Sequence, residues 1–263
     1  MTGYIYRKSY KTRRKKNIVH NRFFWIVGLS AILVAAFFYF LFLSSFFQIK
    51  KIEVGGNQRV EKEKIVDFVF NQTSGRAFFI FPKNIFFFKL KELDQLILDE
   101  FPLIGEVVLR KKFPSALAIN VKERNSVGFW CKNDDCYNLD KEGIIFEKSA
   151  GEAKLIIKSG KEAAVGEKVI KKSYLASILK IKEEIARKIE AEIEEVFISD
   201  EEGEIIVRTS EGWDIYFDMK QDISSQIFNL DLVVEEKIPP EKRGNLEYID
   251  LKFGSRVYFK YRD

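Results

Sequence analysis

The sequence predicts an α+β protein: a single N-terminal transmembrane helix, then a unit of order β-α-α-β-β, then a C-terminal β-rich unit with helices. Three observations predict it. Residues 23–43 are 21 consecutive uncharged residues, apolar alternation of period two starts directly after them, and short strand-like segments divided by turn formers recur to the end.

The first element is the membrane helix. About 20 apolar residues cross the hydrocarbon core as a helix, and only Gly28 and Ser30 interrupt the apolar run here. Arg7, Lys8, Lys11, Arg13, Arg14, Lys15, Lys16 and Arg22 precede it with no acid among them. That bias holds the N-terminus in the cytoplasm and sends the rest outside. A cleaved signal peptide is the alternative, but its apolar region runs about 7–15 residues and closes on small residues. Ser44-Ser45-Phe46-Phe47-Gln48 offers no such site. A retained anchor is expected, with residues 1–22 as a basic cytoplasmic tail and 23–47 as the span.

Charge narrows the function further. The chain carries +5, but the tail takes 8 of its 44 basic residues, leaving 36 against 39 acids, a net of −3 for the rest. A nucleic-acid module needs a basic face inside the folded domain. Topology and attraction to anionic lipid heads explain the tail better, and tail binding to DNA or RNA is the weaker alternative.

About 215 residues follow the helix, more than one average domain, and sparse Pro without Ser/Gly tracts argues against a long disordered stalk. Ile49, Ile52 and Val54 alternate as a short strand closed by Gly55-Gly56-Asn57. A helix over 61–70 places Ile65, Phe68 and Val69 on one side and stops at Thr73-Ser74-Gly75. Leu90, Leu93, Leu96, Ile97 and Phe101 recur at three- and four-residue steps in a second helix that ends before Pro102. Strands over 104–112 and 116–123, joined by Phe113-Pro114-Ser115, complete the β-α-α-β-β order.

From Asn125 the pattern is short strands and turns. Strands over 127–131 and 136–139 flank Lys132-Asn133-Asp134-Asp135, read as a four-residue hairpin loop. Another strand at 155–158 precedes an amphipathic helix over 174–189 carrying Leu175, Ile178, Leu179, Ile181, Ile185 and Ile189. Strands over 194–199, 204–209 and 213–218 read as a meander. Asp222 caps a helix through Ile223, Ile227, Leu230 and Val234 that Pro239-Pro240 ends. Strands over 246–252 and 256–261 finish the chain, and no repeat of fixed period is present.

Candidate chemistry is thin. The one His, His20, lies in the basic tail, which removes His-based general-base and triad chemistry from the exported part. Ser177-Ile178-Leu179-Lys180 and Lys158-Ser159-Gly160 mimic the S-x-x-K and K-T-G of penicillin-interacting enzymes, but in reversed order. Asp134, Asp135, Asp140 and Glu142 lack the spacing of a calcium loop and read as solvated turns. Cys131 and Cys136 cannot build a zinc site by themselves. A cross-strand disulfide suits an oxidising exterior, with free thiols as the alternative. No metal, cofactor or catalytic residue is expected. Phe78, Phe79, Phe81, Phe86, Phe87 and Phe88 form a dense aromatic cluster. Core packing is the default for most of them, and contact with lipid heads or a partner's membrane-proximal segment is the lesser alternative for the remainder.

Three segments, in order behind the anchor, resemble the bacterial cell-division family FtsQ/DivIB. Residues 47–57, FQIKKIEVGGN, are similar to the family's POTRA opening. Pro102-Leu103-Ile104 with residues 113–124, FPSALAINVKER, resembles its close. Residues 246–253, LEYIDLKF, resemble the C-terminal strand motif usually written YIDLRF. Two departures stand out: Ser126 where a Pro often follows the Glu-Arg pair, and Lys252 for the usual Arg, which lacks the planar fork for a carboxylate.

The resemblance implies a POTRA domain at 48–124 and an FtsQ-type β domain at 125–263. It further implies a non-catalytic, single-pass scaffold of the inner membrane at the division septum. Its implied partners are FtsB/DivIC-like and FtsL-like proteins, and through them the septal peptidoglycan synthase, among other divisome membrane proteins. By the same resemblance Tyr248, Phe253, Ser255, Val257 and Tyr258 are the candidates for partner contact. Strand parity sends Ile249 and Leu251 inward. The rival expectation is a membrane-anchored POTRA adaptor in secretion or envelope assembly. Such a protein normally continues into a membrane β-barrel, whose alternating ten-residue strands are missing here.

Overall fold

An uninterrupted helix, α1, runs from Arg22 to Leu43 with no side chain buried against the rest of the chain. The computed structural model describes residues 22–74, 84–86, 88–149, 155–199 and 203–262. The basic residues 7–16, Gly75, and Phe78, Phe79, Phe81 and Phe87 lie outside the described residues. At a rise of about 1.5 Å per residue the 22 residues of α1 extend about 33 Å, enough for a hydrocarbon core of about 30 Å. Its length and composition make it a candidate membrane span.

The exit from α1 is built rather than loose. A 3-10 turn over Ser45–Phe47 follows directly. Asn84, only 2% exposed, donates its amide to the carbonyls of Leu41 and Phe42 (2.9 and 3.0 Å), so a side chain far along the chain satisfies carbonyls that the helix end leaves open. Ile85 N–H donates to Phe47 O at 2.9 Å, and Lys50 N–H to Ser115 O at 2.8 Å. These bonds tie α1 to the folded unit that follows.

That unit contains β1 (Lys51–Gly55), α2 (Lys62–Ser74), α3 (Leu90–Glu100), β2 (Ile104–Lys112) and β3 (Ala116–Glu123), the order read from the sequence. Its sheet runs β1-β3-β2, with β1 parallel and β2 antiparallel to β3. The apolar stripes of the helices bury Ile65, Val69, Leu93 and Ile97 against Ile52, Leu117, Ile119 and Val121. Each such side chain contributes about 1.5–3 kcal/mol of transfer free energy. Gly56, at φ +84°, is required where β1 ends, since a Cβ there would lie 2.1 Å from Val121 O.

The second unit is one nine-stranded sheet, ordered β12-β11-β10-β9-β8-β7-β4-β5-β6. Its strands are β4 (Gly128–Lys132), β5 (Asp135–Leu139), β6 (Ile145–Lys148), β7 (Ile156–Ser159), β8 (Ile193–Ile198), β9 (Glu204–Thr209), β10 (Asp214–Asp218), β11 (Leu246–Phe253) and β12 (Arg256–Tyr261). The helices α4 (Lys172–Lys188) and α5 (Ile223–Lys237) are crossovers: β7 and β8 are parallel around α4, and β10 and β11 around α5. Both helices share one core, where Leu175, Ile178, Ile181 and Ile185 of α4 and Ile227 and Leu230 of α5 meet Ile157, Val196, Val207, Ile215 and Ile249. Asp222 caps α5 by accepting from Ser225 N–H at 2.8 Å.

Three local features differ from the sequence reading. The β4–β5 loop has two residues, not four, because Lys132 and Asp135 are themselves a ladder pair and Asn133 takes φ 53°. The strand β6 and the short helix α6 (Pro240–Arg243) were not foreseen. Only four residues make β6, with Ile145 and Phe146 both buried, so no alternation marks it.

Candidate protein interface

The sheet's last strand, β12, is an edge: it pairs with β11 on one side and with no strand on the other among the described residues. An edge strand presents backbone N–H and C=O groups that another chain can complete. Parity sorts its side chains. Asp250 pairs with Tyr258 and Tyr248 with Lys260, so Tyr258 and Lys260 share the sheet face turned away from α4 and α5. Val257, Phe259 and Tyr261 alternate onto the helix side, where Val257 and Tyr261 pack at the core margin.

The five residues implied by resemblance thus fall in three settings. Phe253 (57% exposed) and Tyr258 (48% exposed) meet edge to face at 5.2 Å, forming an uncovered aromatic pair at the tip of the β11–β12 hairpin. Ser255 is in the connecting turn beside Gly254. Val257 is half-buried on the opposite face, and Tyr248 is half-buried edge to face against Tyr216, 5.7 Å between rings. Ile249 and Leu251 are fully buried between them.

The structure adds Phe259 and, on α5, Phe228 and Leu232, all exposed large apolar side chains. Asn229 joins α5 to the hairpin tip by donating to Gly254 O at 3.0 Å. In sequence Phe228 follows the core residue Ile227. The available signal was the helical register, which turns position 228 away from the core stripe of Ile223, Ile227 and Leu230.

Beside the edge, β9, β10 and β11 carry a charged and aromatic cluster. Lys252 Nζ lies 2.5 Å from Glu204 and 5.3 Å from the centre of the Tyr216 ring. Burial opposes its charge, but the bond to Glu204 and the Asp250 carboxylate outweigh it and raise the Lys252 pKa. A point-charge ammonium is thereby bonded within the sheet, so Lys252 is not presented to a partner as an open fork.

The opposite edge, β6, is closed. Ile145 N–H donates to Glu167 O and Gly166 N–H to Ile145 O, so the segment before α4 runs along it. The first unit reaches it too. Arg59 contacts Glu147 at 2.7 Å and lies 5.8 Å from the Phe146 ring centre. The junction is built on the Glu123-Arg124 pair. Glu123 accepts the N–H groups of Gln58, Arg59 and Val60 at 2.7, 2.8 and 3.0 Å. Burial opposes its ionisation, yet these donors outweigh burial and bring its carboxyl below the ordinary value of 4.5. Arg124 donates to Pro102 O at 2.9 Å and pairs with the buried Asp140, whose other oxygen accepts from Glu142 and Ile144 N–H, both at 2.9 Å.

The remaining candidates separate. Asp135 pairs with Lys148 and Glu142 with Lys172 (2.9 and 2.8 Å), and both carboxyls sit below their usual range through those bonds. Lys180 of α4 donates to Ser224, whereas Lys158 lies on the other face of the sheet, 2.5 Å from Glu195. The S-x-x-K and K-S-G segments therefore do not converge. Cys131 and Cys136 are a cross-strand ladder pair joined by a disulfide.

Comparison with known proteins covers the same two units. The family model described as POTRA domain, FtsQ-type, matches residues 47–124. The model described as Cell division protein FtsQ/DivIB, C-terminal, matches residues 128–252. Among relatives named Cell division protein DivIB, that of Clostridium botulinum is 32% identical over 146 residues, 55% of this chain and 51% of the relative. That of Clostridium tetani is 28% identical over 119 residues, 45% of this chain and 42% of the relative. The Bacillus cytotoxicus protein is 23% identical over 264 residues, covering 97% of this chain and 92% of the relative. The chain therefore spans about half the length or less of the clostridial relatives it matches.

Proposed function

We propose, for a chain that belongs to the FtsQ/DivIB family of cell-division proteins, that it is a single-pass membrane scaffold of the divisome acting by binding rather than catalysis. Residues 1–22 are its cytoplasmic tail, 23–47 its anchor, 48–124 a POTRA domain and 125–263 the β domain, with both domains outside the cytoplasm at the septum. The β domain binds FtsB/DivIC-like and FtsL-like partners, which couple it to septal peptidoglycan synthesis.

One observation carries this reading: among the described residues β12 is an edge with no second strand, and its tip bears the exposed pair Phe253 and Tyr258. A partner segment added along β12 would complete its backbone ladder, while the aromatic tip anchors side chains. Photo-crosslinking from positions 246 to 261 in cells tests it. Capture of coiled-coil division proteins at alternate positions is expected. Capture of unfolded envelope proteins instead would favour the adaptor function and overturn the scaffold.

A further inference from the structure

The membrane-proximal end of the POTRA unit carries an aromatic surface continuous with the anchor. Phe40, inside α1, stacks on Phe46 at 6.0 Å and meets Phe47 edge to face at 5.6 Å. Phe47 contacts Phe86 at 5.0 Å, and Phe86 contacts Phe113 at 5.2 Å. The rings therefore run without a break from the membrane helix to the β2–β3 turn. Core packing does not account for the outer members: Phe46 is 52% exposed, Phe86 42% and Phe113 58%. Large apolar side chains left together on the outside mark a surface that something covers.

What covers them follows from where α1 ends. Leu43 closes the helix; Asn84 holds the carbonyls of Leu41 and Phe42 in its last turn, and beyond it Ile85 bonds Phe47 and Ser115 bonds Lys50. The unit therefore has no slack with which to stand off from the bilayer. Positions one or two turns past a span lie in the interfacial layer, and apolar side chains such as Phe bury at the boundary between headgroups and acyl chains. The charge at this end agrees. Lys111 donates to Phe86 O at 3.1 Å, Lys112 directly precedes Phe113, and Lys50 and Lys51 follow the 3-10 turn, while Glu53 pairs with Lys51 and Lys112 at 2.7 and 2.6 Å. Basic residues beside apolar rings suit an anionic headgroup layer.

We infer that Phe46, Phe86 and Phe113, rimmed by these lysines, are seated in the headgroup layer of the leaflet that α1 exits, so that anchor and POTRA unit form one body held at a fixed tilt to the membrane. The inference rests on α1 spanning the bilayer. It goes beyond partner binding, because it makes the lipid surface itself a ligand of the POTRA unit and sets the height at which β12 is presented.

The test uses the full chain reconstituted in vesicles of phosphatidylethanolamine and phosphatidylglycerol. A polarity-sensitive fluorophore is placed on a Cys at position 33, 113 or 258, with Cys131 and Cys136 kept oxidised. Quenchers are carried at the headgroup, at mid-chain of the lipid, or in water as iodide. Position 33 should be quenched by mid-chain lipid and position 113 by headgroup-level lipid, severalfold more than position 258, with iodide reaching 258 severalfold better than 113. Phe46→Ser with Phe86→Ser should return position 113 to the iodide access of 258 while leaving position 33 unchanged. A quenched 33 with a water-exposed 113 overturns the lipid-seated face and leaves the anchor standing. An unquenched 33 overturns the span and the face with it. Shielding of 113 that needs an added division partner, and is insensitive to lipid-borne quencher, assigns the face to protein and overturns the inference.

Discussion

The nine-stranded sheet ends twice, and its two edges are treated oppositely. At β6 the chain hooks back: residues 166 and 167 bond to Ile145, Arg59 from the first unit reaches Glu147, and Ile145 and Phe146 are buried. At β12 no second strand pairs among the described residues, and Phe253, Tyr258 and Phe259 are exposed. Exposed edges invite association, and proteins that do not use them cover them or load them with charge. This chain covers one edge with its own segments and leaves the other apolar at its tip. The closed edge works as an internal joint between units, and the open edge is the surface proposed above for a partner.

The largest expected effect breaks the closed edge. Arg124 and Asp140 are both nearly buried, and Asp140 still accepts two backbone N–H groups. Arg124→Ala therefore leaves a buried carboxylate without its cation, a change that typically costs about 3–5 kcal/mol. Urea unfolding of the full chain in detergent should show a loss of that order, with binding at β12 retained wherever the protein is folded. A loss near zero would mean that the junction contributes little to the fold.

At the open edge the order of effects reverses, with binding reduced more than stability. Val257→Pro removes a donor and the regularity of β12, so capture of the FtsB/DivIC-like partner should fall furthest. Phe253→Ala and Tyr258→Ala should each cost about 2 kcal/mol of binding, the scale of an interfacial aromatic anchor, and less than about 0.5 kcal/mol of stability, as for other exposed positions. Binding isotherms beside melting curves separate the two. If all three variants stay folded and bind as the parent does, β12 is not the docking edge.

The contrast between edges was only half legible in the sequence. Helices α2, α3, α4 and α5 and most strands follow from local periodicity, caps and Pro stops, because those signals act within a few residues. Ile104–Lys112 and Ala116–Glu123 fall where alternation placed them. Edge status is a property of pairing. Two parallel crossovers bring β8 beside β7 and β11 beside β10 across whole helices, and nothing local to Arg256–Tyr261 states that no tenth strand pairs with it among the described residues. The same reason hid the joint: Glu123 and Arg124 read as the end of a motif, while their partners Arg59 and Asp140 are distant in sequence or across a turn. Phe228 and Phe259 do not stand out in the sequence, because an apolar residue beside a core residue reads as core until the register is known.

A smaller effect belongs to the β4–β5 hairpin, whose strand β5 pairs directly with the closed-edge strand β6. Its disulfide spans a sequence separation of 5, and loop closure over so short a segment stabilises by about 2 kcal/mol. Cys131→Ser with Cys136→Ser should loosen the hairpin by that amount without reducing capture at β12. Mass spectrometry of alkylated protein from its native compartment should find neither thiol modified. Two alkylated thiols would remove the bond from this account.

The smallest effect sharpens the comparison through pH. Glu123 holds the junction as an ionised acceptor of three backbone N–H groups, and its folded-state pKa lies below the ordinary 4.5. A depressed carboxyl stabilises fully above its unfolded value and loses that contribution as pH falls through the folded value. Stability from this group should therefore be flat from neutral pH down to about 4.5 and decline below it, with no change on the alkaline side. Glu123→Gln keeps an acceptor oxygen but removes the titration, so the parent-minus-variant difference in unfolding free energy should shrink as the medium becomes more acid than that point. The open edge offers β12 backbone groups, which do not titrate, and a parent-minus-variant difference in partner binding should stay constant over the same range. A difference in unfolding free energy that persists unchanged into strong acid would show that Glu123 acts at the joint through shape rather than charge.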